Sequence, residues 1–152
     1  MHFRLVEAKQ IPLALLLEAD PSQERICSYL EEALRFAALN NDTVIGACIA
    51  KPISDRVIEL FNISVQPDQQ AKGIGSRLLK FTLAQLSEQG FRRVELGTGA
   101  FGYQLAFYQR LGFRVDSLIN DYFLDNYTEE IYEAGIQHKD MLRLYTHLQE
   151  PT

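Results

Sequence analysis

A strand-like run from Val57 to Val65 gives way to a helix-like run, and the junction Gln66-Pro67-Asp68-Gln69-Gln70-Ala71-Lys72-Gly73-Ile74-Gly75-Ser76 carries two glycines one residue apart. A helix start has backbone N–H groups with no intrahelical partner, and it carries the positive end of the helix macrodipole. Gly73 and Gly75 raise no Cβ wall, so a ligand can reach the main chain. That combination suits an anion, above all a phosphate or pyrophosphate. Taken alone, the two glycines also fit a plain tight turn. The loop lacks the Gly-Lys-Ser/Thr ending of a nucleotide P-loop, and it lacks the three-glycine dinucleotide fingerprint.

The rest of the composition bounds the reading. With 152 residues, 47% of them hydrophobic, the chain is expected to form one domain over 1–152 with a proper core. A formal net charge of −5 argues against a nucleic-acid binder and fits neutral or cationic partners. Met1-His2-Phe3-Arg4 has no signal-peptide architecture, and the apolar run Ile11 to Leu17 is too short to span a bilayer, so a cytoplasmic protein without membrane contact is expected. Cys27 and Cys48 form no CxxC and read as buried free thiols. With His2, His138 and His147 scattered, no metal site is expected.

Along the chain, Phe3 and Leu5 mark a first strand. Ile11 to Ala19 and Gln23 to Ala33 read as helices, with Asp20 or Ser22 capping the second. Leu34 to Leu39 and Thr43 to Ala50 form a hairpin across Asn40-Asn41-Asp42. After Gly75, the apolar residues Ile74, Leu78, Leu79, Phe81, Leu83 and Leu86 recur at helical spacing, and Gly90 supplies a stop. Val94 and Leu96 belong to a strand, followed by a turn holding Gly97, Gly99 and Gly102, and by a helix from Tyr103 to Leu111. Ile136 to Leu148 reads as a last strand. Hairpins mixed with a crossover imply a mixed sheet.

The junction reads Gln-x-x-Gly-x-Gly behind a Val-x-Pro. There the chain resembles the GNAT superfamily of acyl-CoA N-acyltransferases, whose pyrophosphate loop follows Gln/Arg-x-x-Gly-x-Gly/Ala; Gln70, Gly73 and Gly75 match it. Recognisable motifs run from about Thr43 to Phe113. The resemblance implies an α/β (α+β) fold, with a mixed, mostly antiparallel central sheet flanked by helices and a splayed strand pair for the coenzyme. It implies acetyl-CoA as co-substrate. The pyrophosphate would lie on the amides of Gln70, Ala71, Lys72, Gly73, Gly75 and Ser76, and the pantetheine arm against the main chain of Phe61, Ile63 and Val65. Asn62 and Ser64 fit either a bulge that opens the sheet or a solvent-facing alternation.

Two residues carry candidate chemistry. Glu59, among Val57, Ile58, Leu60 and Phe61, is a carboxylate in apolar company, where a raised pKa would help it act as base; a solvated strand residue is the alternative. Several family members carry a Glu at this offset and use it so. Tyr108, in Ala106-Phe107-Tyr108-Gln109-Arg110-Leu111-Gly112-Phe113, resembles the family's Ala-x-x-Tyr-x-x-x-Gly-Phe, in which the hydroxyl faces the coenzyme sulfur; it would protonate the leaving thiolate, or else simply pack. Where many relatives have an Asn opening this helix, this chain has Tyr103.

The segment Asn120 to Glu133 interleaves Tyr122, Phe123, Tyr127 and Tyr132 with Asp121, Asp125, Glu129, Glu130 and Glu133. It reads as a wall for a cationic amine, with Glu24, Glu31 and Glu32 opposite, or as a polar loop anchored by its aromatics. The expectation is an N-acetyltransferase moving acetyl from acetyl-CoA to a small cationic amine by direct attack in a ternary complex, as a monomer or homodimer. A protein N-terminal or lysine acetyltransferase and a non-catalytic CoA sensor are the alternatives.

Overall fold

The computed structural model describes residues 1–150. Strand β1 (His2–Leu5) leads through a 3-10 turn into the short helices α1 (Leu13–Leu16) and α2 (Gln23–Tyr29). Strands β2 (Leu34–Asn40), β3 (Thr43–Pro52) and β4 (Val57–Val65) follow as a meander, and then helix α3 (Ile74–Glu88) and strand β5 (Arg93–Gly99). The chain continues through α4 (Tyr103–Arg110), β6 (Arg114–Ile119), α5 (Tyr122–Asn126), the small hairpin β7 (Tyr132–Glu133) and β8 (Ile136–Gln137), and β9 (Met141–His147). The main sheet runs β1-β2-β3-β4-β5-β9-β6. Every neighbouring pair is antiparallel except β4 and β5, so the sheet is mixed and mostly antiparallel, as expected.

Helices cover both faces. On one, Ile74, Leu78, Leu79 and Leu86 of α3 and Tyr108 of α4 pack on Ile58, Leu60, Val94 and Leu96. Arg77, Lys80, Ala84 and Glu88 of α3 face outward, as the apolar spacing predicts. On the other face, Leu15, Leu16, Ile26 and Tyr29 pack on Ala37, Leu39, Ala47 and Ile49.

The two expected N-terminal helices are shorter than predicted. α1 begins only after Pro12, which has no N–H to give, and covers a single turn. Ser22 caps α2 by accepting from Arg25 N at 3.2 Å. The helix ends at Tyr29, and the Arg35 guanidinium holds the turn that follows it, bonding Leu30 O at 2.8 Å, Glu31 O at 2.9 Å and Ala33 O at 3.1 Å. Turning Ile26 and Tyr29 inward leaves Cys27 facing outward, so it is exposed rather than buried; Cys48 is buried as expected, its thiol pushed up to about 12 by burial. The expected last strand is broken in two: Ala134 and Gly135, with φ of 54° and 78°, turn the β7–β8 hairpin, and His138 folds inward before β9 starts.

Candidate active site

The glycine junction is an exposed cradle of main-chain donors. Ala71 and Gly73 take left-handed φ values of 62° and 80°, which curl the loop so that successive amides face one side. Gly73 caps α3 without a side-chain bond, and the first intrahelical bond in α3 is Arg77 N to Gly73 O. The N–H groups of Ile74, Gly75 and Ser76 therefore have no acceptor among the described residues. Gln70 latches the loop from below, its Nε2 donating to Val65 O at 2.9 Å. Gln70, Ala71, Lys72 and Gly73 are exposed, and Gly75 and Ser76 are half-buried. Bare main-chain donors at a helix start suit an anionic group such as a phosphate.

Beside it the sheet forks. β4 and β5 pair in parallel only at Val57↔Arg93, Ile58↔Val94 and Glu59↔Glu95. Beyond that point β4 keeps β3 on one side and β5 keeps β9, while the edges facing each other have no partner strand. A pantetheine arm, with its two amides, is the kind of extended ligand that such an edge accepts. The register between β3 and β4 shifts at Phe61: Ile49 faces Asn62 and Ala50 faces Leu60, so Phe61 is an extra residue. Asn62 and Ser64 lie just beyond the bulge. Both are buried, and Asn62 Oδ1 and Ser64 Oγ have no partner among the described residues, so the solvent-facing alternation does not hold.

Glu59 and Glu95 sit side by side at the vertex of the fork. The sequence puts Glu59 in apolar company; the fold sets it against a cation instead. Arg143 of β9 reaches over β5 and donates from Nη1 to Glu59 Oε2 at 3.1 Å, while Nη2 lies 3.6 Å from Glu95 Oε1. A Cβ at Gly97 would overlap Met141 Sδ and lie 3.1 Å from Arg143 Nη1, so glycine keeps this crossing open. Glu95 Oε2 also accepts from Arg93 Nε at 2.7 Å. Glu59 Oε1 has no partner among the described residues. Neither Arg143 nor Glu95 was singled out in the sequence. Arg143 lies 84 positions from Glu59, with no motif to link them.

Tyr108 is only 5% exposed and packs edge-on against Phe107 and Phe113. Burial raises its pKa, so the phenol stays protonated. Its hydroxyl makes no hydrogen bond to a described residue. Tyr103 is exposed, and its N–H donates to Glu133 Oε2 at 2.8 Å. Glu133 also holds His138 Nε2 at 2.8 Å, and the His138 ring stacks on Phe101 with centroids 4.1 Å apart. Cβ atoms at Gly99 and Gly102 would fall on His138 and Glu133, so this glycine-rich turn is shaped to admit the β7–β8 hairpin.

On the face of Phe61 and Asn62, α1, α2 and the α5 segment build a polar wall. Asn62 Nδ2 donates to Leu16 O at 3.0 Å and to Tyr29 Oη at 3.1 Å, and the Tyr29 ring stacks on Phe61 at 4.9 Å. The Tyr29 hydroxyl donates to Asp20 Oδ2 at 3.1 Å, and the Tyr127 hydroxyl to Asp20 Oδ1 at 3.3 Å. Burial, then the neighbouring Asp20 charge, pushes Tyr127 up to about 12, and burial raises Tyr29 as well, so both are donors. The expected acidic lining is not what faces inward. Glu24, Glu31, Glu32, Asp121, Asp125, Glu129 and Glu130 are exposed, and Glu133 is spent on α4 and His138. The inward charges are Asp20, 7% exposed, and the half-buried Arg25.

The comparisons with known proteins agree with this arrangement. The acetyltransferase (GNAT) family model matches residues 7–113. An uncharacterized N-acetyltransferase of Bacillus subtilis, YvbK, is 37% identical over 135 residues, covering 88% of this chain and 87% of the relative. A GNAT family acetyltransferase from Elizabethkingia anophelis, solved with acetyl-CoA bound, superposes with a TM-score of 0.91 at 36% identity, covering 97% of each chain. An IAA acetyltransferase from Bacillus cereus superposes at 0.90 with 38% identity, over 97% of this chain and 99% of that one. A bare amide cradle beside a forked sheet, and likeness of this extent, lead to one conclusion: the chain belongs to the GNAT family of acetyltransferases.

Proposed function

We propose that the chain transfers an acetyl group from acetyl-CoA to the nitrogen of a small primary amine, cationic until it is deprotonated, by direct attack with both substrates bound. The observation that carries this reading is the fork: strand pairing ends at Glu59↔Glu95, beside the unpartnered amides that open α3. Bound acetyl-CoA supplies an acetyl group activated as a thioester. The amides from Ala71 to Ser76 hold its pyrophosphate, the Gln70 N–H expected among them being turned to Pro67 O instead, and the free edge of β4 around Ile63 and Val65 holds its pantetheine amides. Glu59 Oε1 takes one proton from the ammonium group. The freed nitrogen lone pair forms the C–N bond as the C–S bond breaks. Tyr108 Oη gives its proton to the sulfur, and the second proton leaving nitrogen replaces it. Arg143 holds Glu59 by its other oxygen, at 3.1 Å, and so fixes the direction in which Oε1 points. A cytoplasmic setting belongs to the same reading, supported by two cysteines that remain free thiols.

Thiol release from acetyl-CoA with a panel of amines tests the proposal, alongside calorimetric titration of CoA. Coenzyme binding together with amine-dependent thiol release is expected. Absence of both overturns it.

A further inference from the structure

Arg25 has the attributes of a ligand-binding group rather than a structural one. Its guanidinium lies between two rings, 5.6 Å from the centroid of Tyr122 and 5.2 Å from that of Tyr127. Nη2 donates to Tyr122 Oη at 2.6 Å, which fixes the plane. Nε is buried with no acceptor among the described residues. Nη1 takes no bond, and Arg25 joins none of the ion pairs among the described residues. Asp20 is near enough for its charge to act on this cation but makes no ion pair with it: Oδ1 accepts from Ser22 N and Tyr127 Oη, and Oδ2 from Tyr29 Oη. A guanidinium oriented by aromatic faces, with one edge unspent, is built to bind a planar anion such as a carboxylate. Its place matters as much. Tyr127, Asp20, Tyr29 and Asn62 link it by consecutive contacts to the bulge of β4, two residues past Glu59.

We infer that Arg25 binds a carboxylate of the acceptor, so that the substrate is an amine carrying an anionic group, an amino acid in the broad sense. The inference rests on the acyl-transfer reading above. The amine end goes to Glu59 and the carboxylate end to Arg25. Acetylation leaves the carboxylate untouched, so the product bears one more net negative charge than the zwitterion that enters.

The test compares kcat/KM for α-amino acids and ω-amino acids, each paired with its own primary amide, under saturating acetyl-CoA. In the ω-pairs the amine is nearly equally basic in both members, so their ratio reports on the carboxylate. The parent is expected to favour the acid at least tenfold in one pair. Arg25→Gln should lower that ratio at least tenfold, through KM for the acid rather than kcat, and Arg25→Lys should restore part of it. Tyr122→Phe, which removes only the bond to Nη2, should lower the ratio less than Arg25→Gln does. Amide preferred over acid throughout, turnover confined to amines with no anionic group, or an Arg25→Gln ratio equal to the parent's, each overturns the inference and leaves acetyl transfer standing. No thiol release with any amine overturns the reading beneath it as well.

Discussion

The two glycines of the cradle are expected to fail in different ways when substituted. Gly73 sits at φ +80° with nothing within 4 Å of the place a Cβ would take. An alanine there meets no clash, only the left-handed backbone penalty of about 1–2 kcal/mol. Stiffening the unfolded chain offsets about 0.4–1 kcal/mol of this. The net cost of Gly73→Ala is about 1 kcal/mol, a fall in Tm of roughly 2–4 °C for a chain of this size. Gly75 has an ordinary helical φ, and a Cβ there would lie 3.6 Å from Val65 Cγ2 and 3.7 Å from Phe107 Cζ, which is normal contact. Gly75→Ala should therefore leave Tm equal or slightly higher, because alanine is the better helix former. Valine reaches a further bond length of about 1.5 Å; its methyls must either press on Val65 and Phe107 or stand over the open amides. Thermal melts and calorimetric titration with CoA separate the effects. Gly73→Ala should lower Tm and weaken Kd by no more than about fivefold, the equivalent of that strain if it is relieved by turning the amides away. Gly75→Ala should do little to either, and Gly75→Val should abolish binding. Gly75→Val binding CoA as tightly as the parent, or Gly73→Ala melting at the parent's temperature, refutes the argument.

Three further outcomes are expected. Glu59→Gln removes the proton acceptor but keeps the shape, so kcat should fall about 100-fold while the Kd for CoA stays within about twofold; equal kcat in mutant and parent across pH ends the assignment. Tyr108→Phe removes a hydroxyl that bonds to no described residue, so Tm should barely move while kcat falls by about tenfold or more; an unchanged kcat makes Tyr108 a packing residue only. The Tyr103 N–H, and then the hydrogen bond with His138, hold the Glu133 carboxyl below the ordinary glutamate value of 4.5. A depressed folded pKa gives stability that is present above the unfolded value and is lost as pH falls through the folded one. The Tm of the parent should thus fall more steeply than that of Glu133→Gln as pH drops from about 5 to about 3; parallel curves count against the Glu133 contacts.

Local signals were legible in the sequence, and long-range ones were not. Strand β4, helix α3 and the Gly73 cradle follow from features that lie close together in the chain: alternation, helical spacing and a glycine pair. Ser22 declares the start of α2, but nothing nearby announces that Arg35, from the next strand, will hold the turn after it by bonding three carbonyls. The acidic run from Asp121 to Glu133 looks like a cation trap in one dimension, yet most of its carboxylates are exposed, and the inward cation belongs to α2. Arg25 and Arg143 carry no sequence signal, because their significance lies in partners far along the chain: Tyr122, 97 positions on, and Glu59, 84 positions back.

The bulge at Phe61 turns these separate features into a site. Burial along β4 alternates without interruption from Val57 to Val65, as a flat two-faced strand would require. The packing partners do not follow that alternation. Ile58 and Leu60 belong to the cluster under α3, and so do Ile63 and Val65, whereas Phe61 belongs to the cluster under α1 and α2. Odd and even residues have exchanged faces at the extra residue. Without the exchange, Glu59 and Phe61 would share a face with Ile63 and Val65, and Asn62 would point into the α3 core, where its amide would lose Leu16 O and Tyr29 Oη as acceptors. With it, the acid and the polar wall open to one side of the sheet, while the residues beside the glycine cradle pack on α3 from the other. An inserted residue thus gives one strand an apolar side and a polar side within a few residues, with the free main-chain edge between them.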